Sequence, residues 1–323
     1  MAFRVGVLRI DCEAEAQRIC SFIQKQVGDM KKVGAVVGLS GGIDSALSAE
    51  LCVRALGKDK VLGLILPERE SNPISAEYAG KHVRKMGIAA ETVDITPTLD
   101  AFGVYDKRDH AIKSVVPDYN SSWKSKIVLP ADLLSRDALN FFTLKAQDGA
   151  GSIHSARLNN DSLRSIVAAT NVKQRTRMLY LYCYAESENY LVCGTTNKSE
   201  AVQGFFVKYG DGGVDIEPLQ HLYKTQVYQL AEYLGVIREI IDRPPSPDTY
   251  SYVVTDEEFY FRMPYDTLDL LLYAWENSVP VGEVCGAMGL TEEQVKRSFR
   301  DFASKHNASN HSRALPPTLD MRT

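Results

Sequence analysis

The hexapeptide Ser40-Gly41-Gly42-Ile43-Asp44-Ser45 sets two glycines between serines, with one acid close behind, directly after an apolar run at 33–39. A glycine-rich turn between a buried strand and a helix presents backbone N–H groups at the positive end of the helix dipole, which is a prepared anion site. Phosphate is the anion these residues suit. The patterns G-x-x-x-x-G-K-[ST] and G-x-G-x-x-G are both absent, which excludes the standard phosphate loop and the dinucleotide fingerprint. Asp44 stands where the first pattern carries a lysine, so a metal bridge from the acid to phosphate oxygens is expected. The bland alternative, a tight turn with a capped helix, leaves the coincidence of both serines, both glycines and the acid unexplained.

Four polar constellations follow. In Asn171-Val172-Lys173-Gln174-Arg175-Thr176-Arg177, Lys173 and Arg177 fall at i and i+4 on a helix expected over 171–187, with Arg175 pointing elsewhere. Cations at a helix start oppose its dipole, which implies either an anionic partner or a solvated basic turn. Gly194-Thr195-Thr196-Asn197-Lys198-Ser199-Glu200 follows a strand expected at 190–195, and Glu200 could join Asp44 as a second oxygen ligand of Mg²⁺. The same acid also suits the first turn of a capped helix. The run from Gly204 through Lys208, Asp211 and Asp215 to Lys224 combines glycines that permit close backbone approach with complementary charges; a hairpin at Asp-Gly-Gly is the alternative. His311-Ser312-Arg313, near the C-terminus, says little alone.

The elements that must position these residues alternate. Strands are expected at 33–39, 60–66 and 91–95, and helices at 11–27, 44–56 and 73–86, the pattern of an α/β, doubly wound parallel sheet with helices on both faces. Ligands in such sheets bind at the edge where the loops follow the strands. The rhythm breaks over 96–168, read as an insertion with short helices near 131–142 and a flexible stretch at 147–155. It resumes through a helix at 224–234, a proline-rich loop at 243–247, and a helical C-terminal segment over 266–323.

With 323 residues, 45% of them hydrophobic, the chain can bury a full core, and its net charge of −4 argues against a general nucleic-acid binder. Residues 281–297 resemble a helix-turn-helix, for which packing within the protein or against a subunit is the expected role. Six cysteines show neither C-x-x-C nor zinc spacing, and no apolar run approaches the roughly 20 residues of a membrane span, so a soluble cytoplasmic protein is expected.

The Ser40–Ser45 loop resembles the S-G-G-x-D-S pyrophosphate loop of the N-type ATP pyrophosphatases, and the constellations after it, above all the 204–219 block, resemble ammonia-dependent NAD synthetase. The resemblance implies an adenine nucleotide alpha hydrolase-like fold, a single synthetase domain over 1–323, and adenylation of the deamido-NAD carboxylate by ATP before ammonia displaces AMP. It implies that Gly38, Leu39, Ser40, Gly41, Gly42, Ile43, Asp44, Ser45, Thr195, Lys224 and Ser246 bind ATP. Asp44 and Glu200 would hold Mg²⁺, while Arg175, Lys208, Asp215 and His311 bind deamido-NAD. Asp44, Lys208 and Lys224 are the expected catalytic residues. A homodimer is also implied, with ammonia supplied free or by a separate glutaminase, since about 30 residues before the first strand are too few for a catalytic domain. Two departures stand out: Ser312 replaces the lysine of the family's His-Lys-Arg tail, and the 96–168 insertion is long. They keep open a ligase acting on another carboxylate; a nucleotide-binding sensor without turnover is disfavoured by the density of charge.

Overall fold

In a computed structural model that describes residues 3–130, 132–135 and 141–319, the chain alternates helix and strand as its apolar pattern requires. Helix α1 (Cys12–Asp29), capped by Asp11, precedes β1 (Ala35–Gly38), α2 (Ile43–Leu56), β2 (Val61–Ile65), α3 (Pro73–Met86) and β3 (Ala89–Thr92). Next come α4 (Thr96–Ala101), α5 (Val104–Lys113), β4 (Lys124–Val128), β5 (Thr143–Gln147), β6 (Ile153–Arg157), α6 (Asn160–Glu188) and β7 (Leu191–Cys193). Helices α7 (Lys198–Gln203), α8 (Lys224–Leu234) and α9 (Arg238–Ile241) lead to a π-helical turn (Glu257–Phe261). Helices α10 (Tyr265–Glu276), α11 (Val281–Met288), α12 (Glu292–Ala308) and α13 (Asn310–Arg313) complete the fold.

Strands β3, β2, β1 and β7 pair in that order, all parallel. Period-two alternation sends Ala35, Val37, Val61, Ile65, Leu191 and Cys193 to one face, where α1, α2, α3 and α8 cover them. Val36, Leu64 and Val192 face the other way, under α4, α5 and α6. Both faces are thus buried, which is why these strands read as continuous apolar runs. Strand order reverses beside β1: β2 lies on one side and β7 on the other, so the loops after β1 and β7 diverge and leave a crevice between them.

The insertion differs from its sequence reading. Strands β4, β5 and β6 form a separate antiparallel sheet, and the stretch read as flexible at 147–155 is the β5–β6 hairpin, turned by Asp148, whose carboxylate accepts from the N–H groups of Ala150 and Ser152. Of the helix expected near 131–142, residues 131 and 136–140 lie outside the described residues, 133–135 form a turn, and Phe142 has no regular secondary structure. Helix α6 begins at Asn160, capped by Asn159, not at 171, so Lys173 lies mid-helix, and the dipole argument made for it fails. The edge strand β3 sits two to three residues earlier than expected; it is mostly exposed, so hydrophobic pattern marks it weakly. The helix pair α11–α12 turns at Gly289 in the left-handed region and packs through Val284, Val295 and Phe302 onto α10. No helix among the described residues is long and apolar enough to cross a membrane.

Between α2 and α3, His82 is 1% exposed and lies 3.4 Å from a Glu50 oxygen that is already engaged by Lys85. Burial, aided by Lys85, pushes its pKa down from 6.5 to about 4. A pKa depressed by folding gives stability that is present at neutral pH and lost as pH falls from about 6.5 toward about 4. Replacing His82 by Leu should flatten that acid limb by roughly 3 kcal/mol in urea titrations; an unchanged limb would refute the assignment.

Candidate active site

The loop after β1 is built by its own hydroxyls. Ser45 Oγ donates to Gly42 O (3.0 Å) and lies 3.2 Å from both Ser40 N and Ser40 Oγ, while Gly42 N donates to Ser40 Oγ at 3.3 Å. Gly41 has φ 74°, and a Cβ there would come within 2.2 Å of Ser75 O, so only glycine fits. The N-cap of α2 is Gly42, with no capping side chain, which leaves the positive end of the helix open toward the crevice. That crevice is a cavity of about 550 Å³ lined by the loop, the ends of β2 and β7, α6 and the segment 243–250.

Deep in it, Lys224 opens α8 and is 2% exposed. Its Nζ lies 2.5 Å from Asp44 Oδ2 and 3.8 Å from Glu200 Oε1. Burial alone would depress this lysine, but Asp44, Glu200 and Asp256 outweigh it and hold the ammonium well above its ordinary pKa. Burial and the neighbouring Asp44 push Glu200 up against the pull of Lys224. Asp256, hydrogen-bonded by Tyr265, is pushed up to about 6 by burial. Asn197 Nδ2 donates to Asp44 (2.9 Å), and its Oδ1 caps α7 reciprocally with Glu200. Asp269 of α10 fixes the start of α8, accepting from Thr225 N (2.7 Å) and from Ser199 Oγ (2.6 Å), which in turn accepts from Lys224 N.

Among the described residues no group of three or more His, Cys, Asp or Glu is arranged to hold a metal. The pair Asp44 and Glu200 nevertheless fits Mg²⁺, which takes one or two carboxylates when phosphates complete its shell. The Lys224 ammonium holds the position between them.

Lys173 and Arg177 do share one face of α6, and the anionic partner of Lys173 belongs to the protein. Lys173 Nζ contacts Glu68 (2.8 Å), Glu70 (2.7 Å) and Thr249 O (3.0 Å). Glu70 also pairs with Arg108, and these two cations overcome burial to hold it below its ordinary pKa. Arg177 donates to Leu66 O and lines the cavity. Thr195 and Ser246 line it too.

Arg175, Lys208 and His311 come together outside this cavity: Arg175 Nε donates to Lys208 O (3.3 Å), and Lys208 Nζ donates to His311 O (2.7 Å) and Ala314 O (3.1 Å). Asp215 is elsewhere, accepting from Tyr182 OH and Val192 N. Sequence reasoning missed Glu68, Glu70, Asp256 and Asp248, the last holding Ser75 Oγ (2.6 Å) behind Gly41. Glu68 and Glu70 had a signal, since they follow β2 at the ligand edge; Asp256 and Asp248 had none.

An open helix terminus, a buried lysine and paired carboxylates at the switch point of a parallel sheet define a nucleotide-binding α/β protein of the adenine nucleotide alpha hydrolase-like class. The family model described as NAD synthase matches residues 15–124 and 138–316. The chain belongs to the NAD synthase family. It is 46% identical to an NH(3)-dependent NAD(+) synthetase of Mesorhizobium japonicum, covering 96% of this chain and 97% of that one. A protein of the same description from Thermotoga maritima is 34% identical, covering 94% and 99%. Among solved structures, an NMN synthetase from Francisella tularensis aligns with TM-score 0.67 at 25% identity, covering 97% of this chain and 100% of that one. An NH3-dependent NAD synthetase from Campylobacter jejuni aligns with TM-score 0.63 at 26% identity, with the same coverage.

If the cavity holds the phosphates of ATP, Lys224→Met should lower ATP-dependent pyrophosphate release by about 10²–10³-fold, since the charge fixed in its floor is lost. With no cation beside them, Glu200 and Asp256 should favour their protonated forms further. Raised carboxyl pKa values give stability that is lost as pH rises, so the variant should unfold at lower urea at pH 7.5 than at pH 5.5; an identical midpoint at both would count against the cluster.

Proposed function

We propose that the chain amidates the nicotinate carboxylate of deamido-NAD with ammonia at the expense of ATP, and that the open α2 terminus facing Lys224 carries the chemistry. An oxygen of the substrate carboxylate attacks the α-phosphorus and pyrophosphate leaves, giving an acyl adenylate. Ammonia then adds to the acyl carbon, loses a proton, and expels AMP. The N–H groups of the Gly38–Ser45 segment would cradle the phosphates, Lys224 would offset charge gathering on the departing pyrophosphate, and Thr195 and Ser246 would flank the nucleotide. Asp44 and Glu200 would hold Mg²⁺, which supplies Lewis-acid neutralisation of the phosphates.

For the acceptor, Arg175, Lys208 and His311 form one polar group joined through backbone carbonyls, which supports their acting together. Asp215 would act from a separate position beside β7. The assembly is proposed to be a homodimer formed through α6, whose outer face exposes Arg175, Leu179 and Cys183 at helical spacing. A single synthetase domain, a cytoplasmic location and free or glutaminase-derived ammonia complete the reading. The ammonia donor is supported by the descriptions of the relatives.

Purified chain given ATP, Mg²⁺, ammonium and deamido-NAD should form NAD, AMP and pyrophosphate in equal amounts. Nicotinate mononucleotide, the acceptor suggested by the NMN synthetase likeness, should react at least about tenfold less well in kcat/KM, a difference of roughly 1.4 kcal/mol in transition-state binding. Preferred turnover of the mononucleotide, or no turnover of either, would overturn the assignment.

A further inference from the structure

The inserted sheet lies against one wall of the cavity. Strand β4 and the residues after it run beside 249–262 and are tied to them along their length. Ser125 N donates to Ser251 Oγ (2.9 Å), Tyr252 N to Ser125 O (3.2 Å), Leu129 N to Glu258 O (3.1 Å), and Arg262 Nε to Pro130 O (2.7 Å). At the centre is Lys126, 7% exposed. Its Nζ donates to Val253 O (2.9 Å) and to both carboxylate oxygens of Glu258 (3.1 and 2.9 Å), and it sits 4.6 Å from the Tyr252 ring.

A buried ammonium is tolerated only where its acceptors are held in place, so Lys126 fixes Val253 and Glu258 relative to β4. Asp256 lies between those two anchors, and Phe259 and Tyr260 follow directly; all three line the cavity. Phe142, at the edge of β5, reaches the same cavity and packs on Phe259 with ring centroids 6.0 Å apart. The geometry is that of a frame and a wall.

We propose that the inserted antiparallel sheet holds residues 249–262 against the nucleotide cavity before ligand binds, with Lys126 as the positioning residue for Asp256 and Phe259. A wall ordered in advance spares the ligand the entropy of ordering it, and a wall that is ordered only part of the time weakens apparent affinity by that fraction. The kinetic consequence rests on the reaction proposed above; the ordering itself does not.

Hydrogen exchange of the whole, ligand-free chain reads the ordering directly. In Lys126→Met the amides of 249–262 should exchange about tenfold faster while β1 and β2 keep their wild-type rates, and added ATP should restore protection. KM for ATP should rise about fivefold or more with kcat within about twofold, and Lys126→Arg should recover most of the loss. Glu258→Gln, at a carboxylate that is 42% exposed, keeps the fold accessible if Lys126→Met does not fold, and should shift exchange and KM the same way by less. Wild-type exchange over 249–262 in both variants would overturn the frame. Faster exchange with unchanged KM would overturn the positioning role. If wild-type chain makes no NAD, the exchange result still decides the frame while the reaction reading fails.

Discussion

The structure turns on one buried ammonium. Taking Lys224 out of water costs several kcal/mol unless carboxylates repay it, and those carboxylates stay ionised in burial only with a cation beside them. The four elements that supply them are therefore not free to drift: α2 brings Asp44, α7 brings Glu200, the 249–262 segment brings Asp256, and α10 fixes the start of α8 through Asp269. Burial, with the neighbouring Asp44 adding to it, raises Glu200 and Asp256 against the pull of the one lysine. A surplus of negative charge at the floor, facing an open positive helix end, suits a ligand that arrives as a polyanion with a cation attached.

The crevice exists because of strand order. A buried parallel sheet needs both faces covered, and the chain covers them by sending β2 and β3 to one side of β1 and returning to the other with β7. The reversal leaves the first turn of α2 without a neighbour on one side. The glycine loop can occupy that gap because Gly41 lets its backbone come against Ser75 of α3, which Asp248 holds from behind. Fold and site are thus one constraint viewed at two scales.

Residues whose role is set locally were legible in the sequence. The glycine loop, most of the helices flanking the parallel sheet, and the strands buried on both faces announce themselves through neighbours within a few positions. Lys224 stood out in the sequence as the closing charge of the 204–224 run, and its nucleotide role only through family likeness; its partnership with Asp44 spans 180 residues, which no local pattern encodes. The insertion was misread because β5 and β6 are held by each other and by a turn built on one aspartate, so polar composition looked like mobility. Lys173 was misplaced for a related reason: the helix was started at its basic residues, whereas its true beginning is the quiet cap at Asn159.

The basic residues then fall into two energetic kinds. Lys173 and Lys224 are buried and matched to largely buried carboxylates, so moving either would strand a charge at a cost of about 3–5 kcal/mol, and Lys126 is buried against Val253 O and the more open Glu258. Lys208 and Arg175 are more open and donate to backbone carbonyls, bonds worth about 0.5–1.5 kcal/mol each that an incoming anion can exchange. Locked charges can hold a cavity in shape but cannot reach for a substrate; releasable ones can. Residue type alone makes no such distinction, and the 204–219 block and α6 supply the releasable kind, with the C-terminal segment providing carbonyls that Lys208 holds. Lys208 ties the two together, so an anion that took its ammonium would also free the carbonyls of His311 and Ala314 and with them the position of the tail.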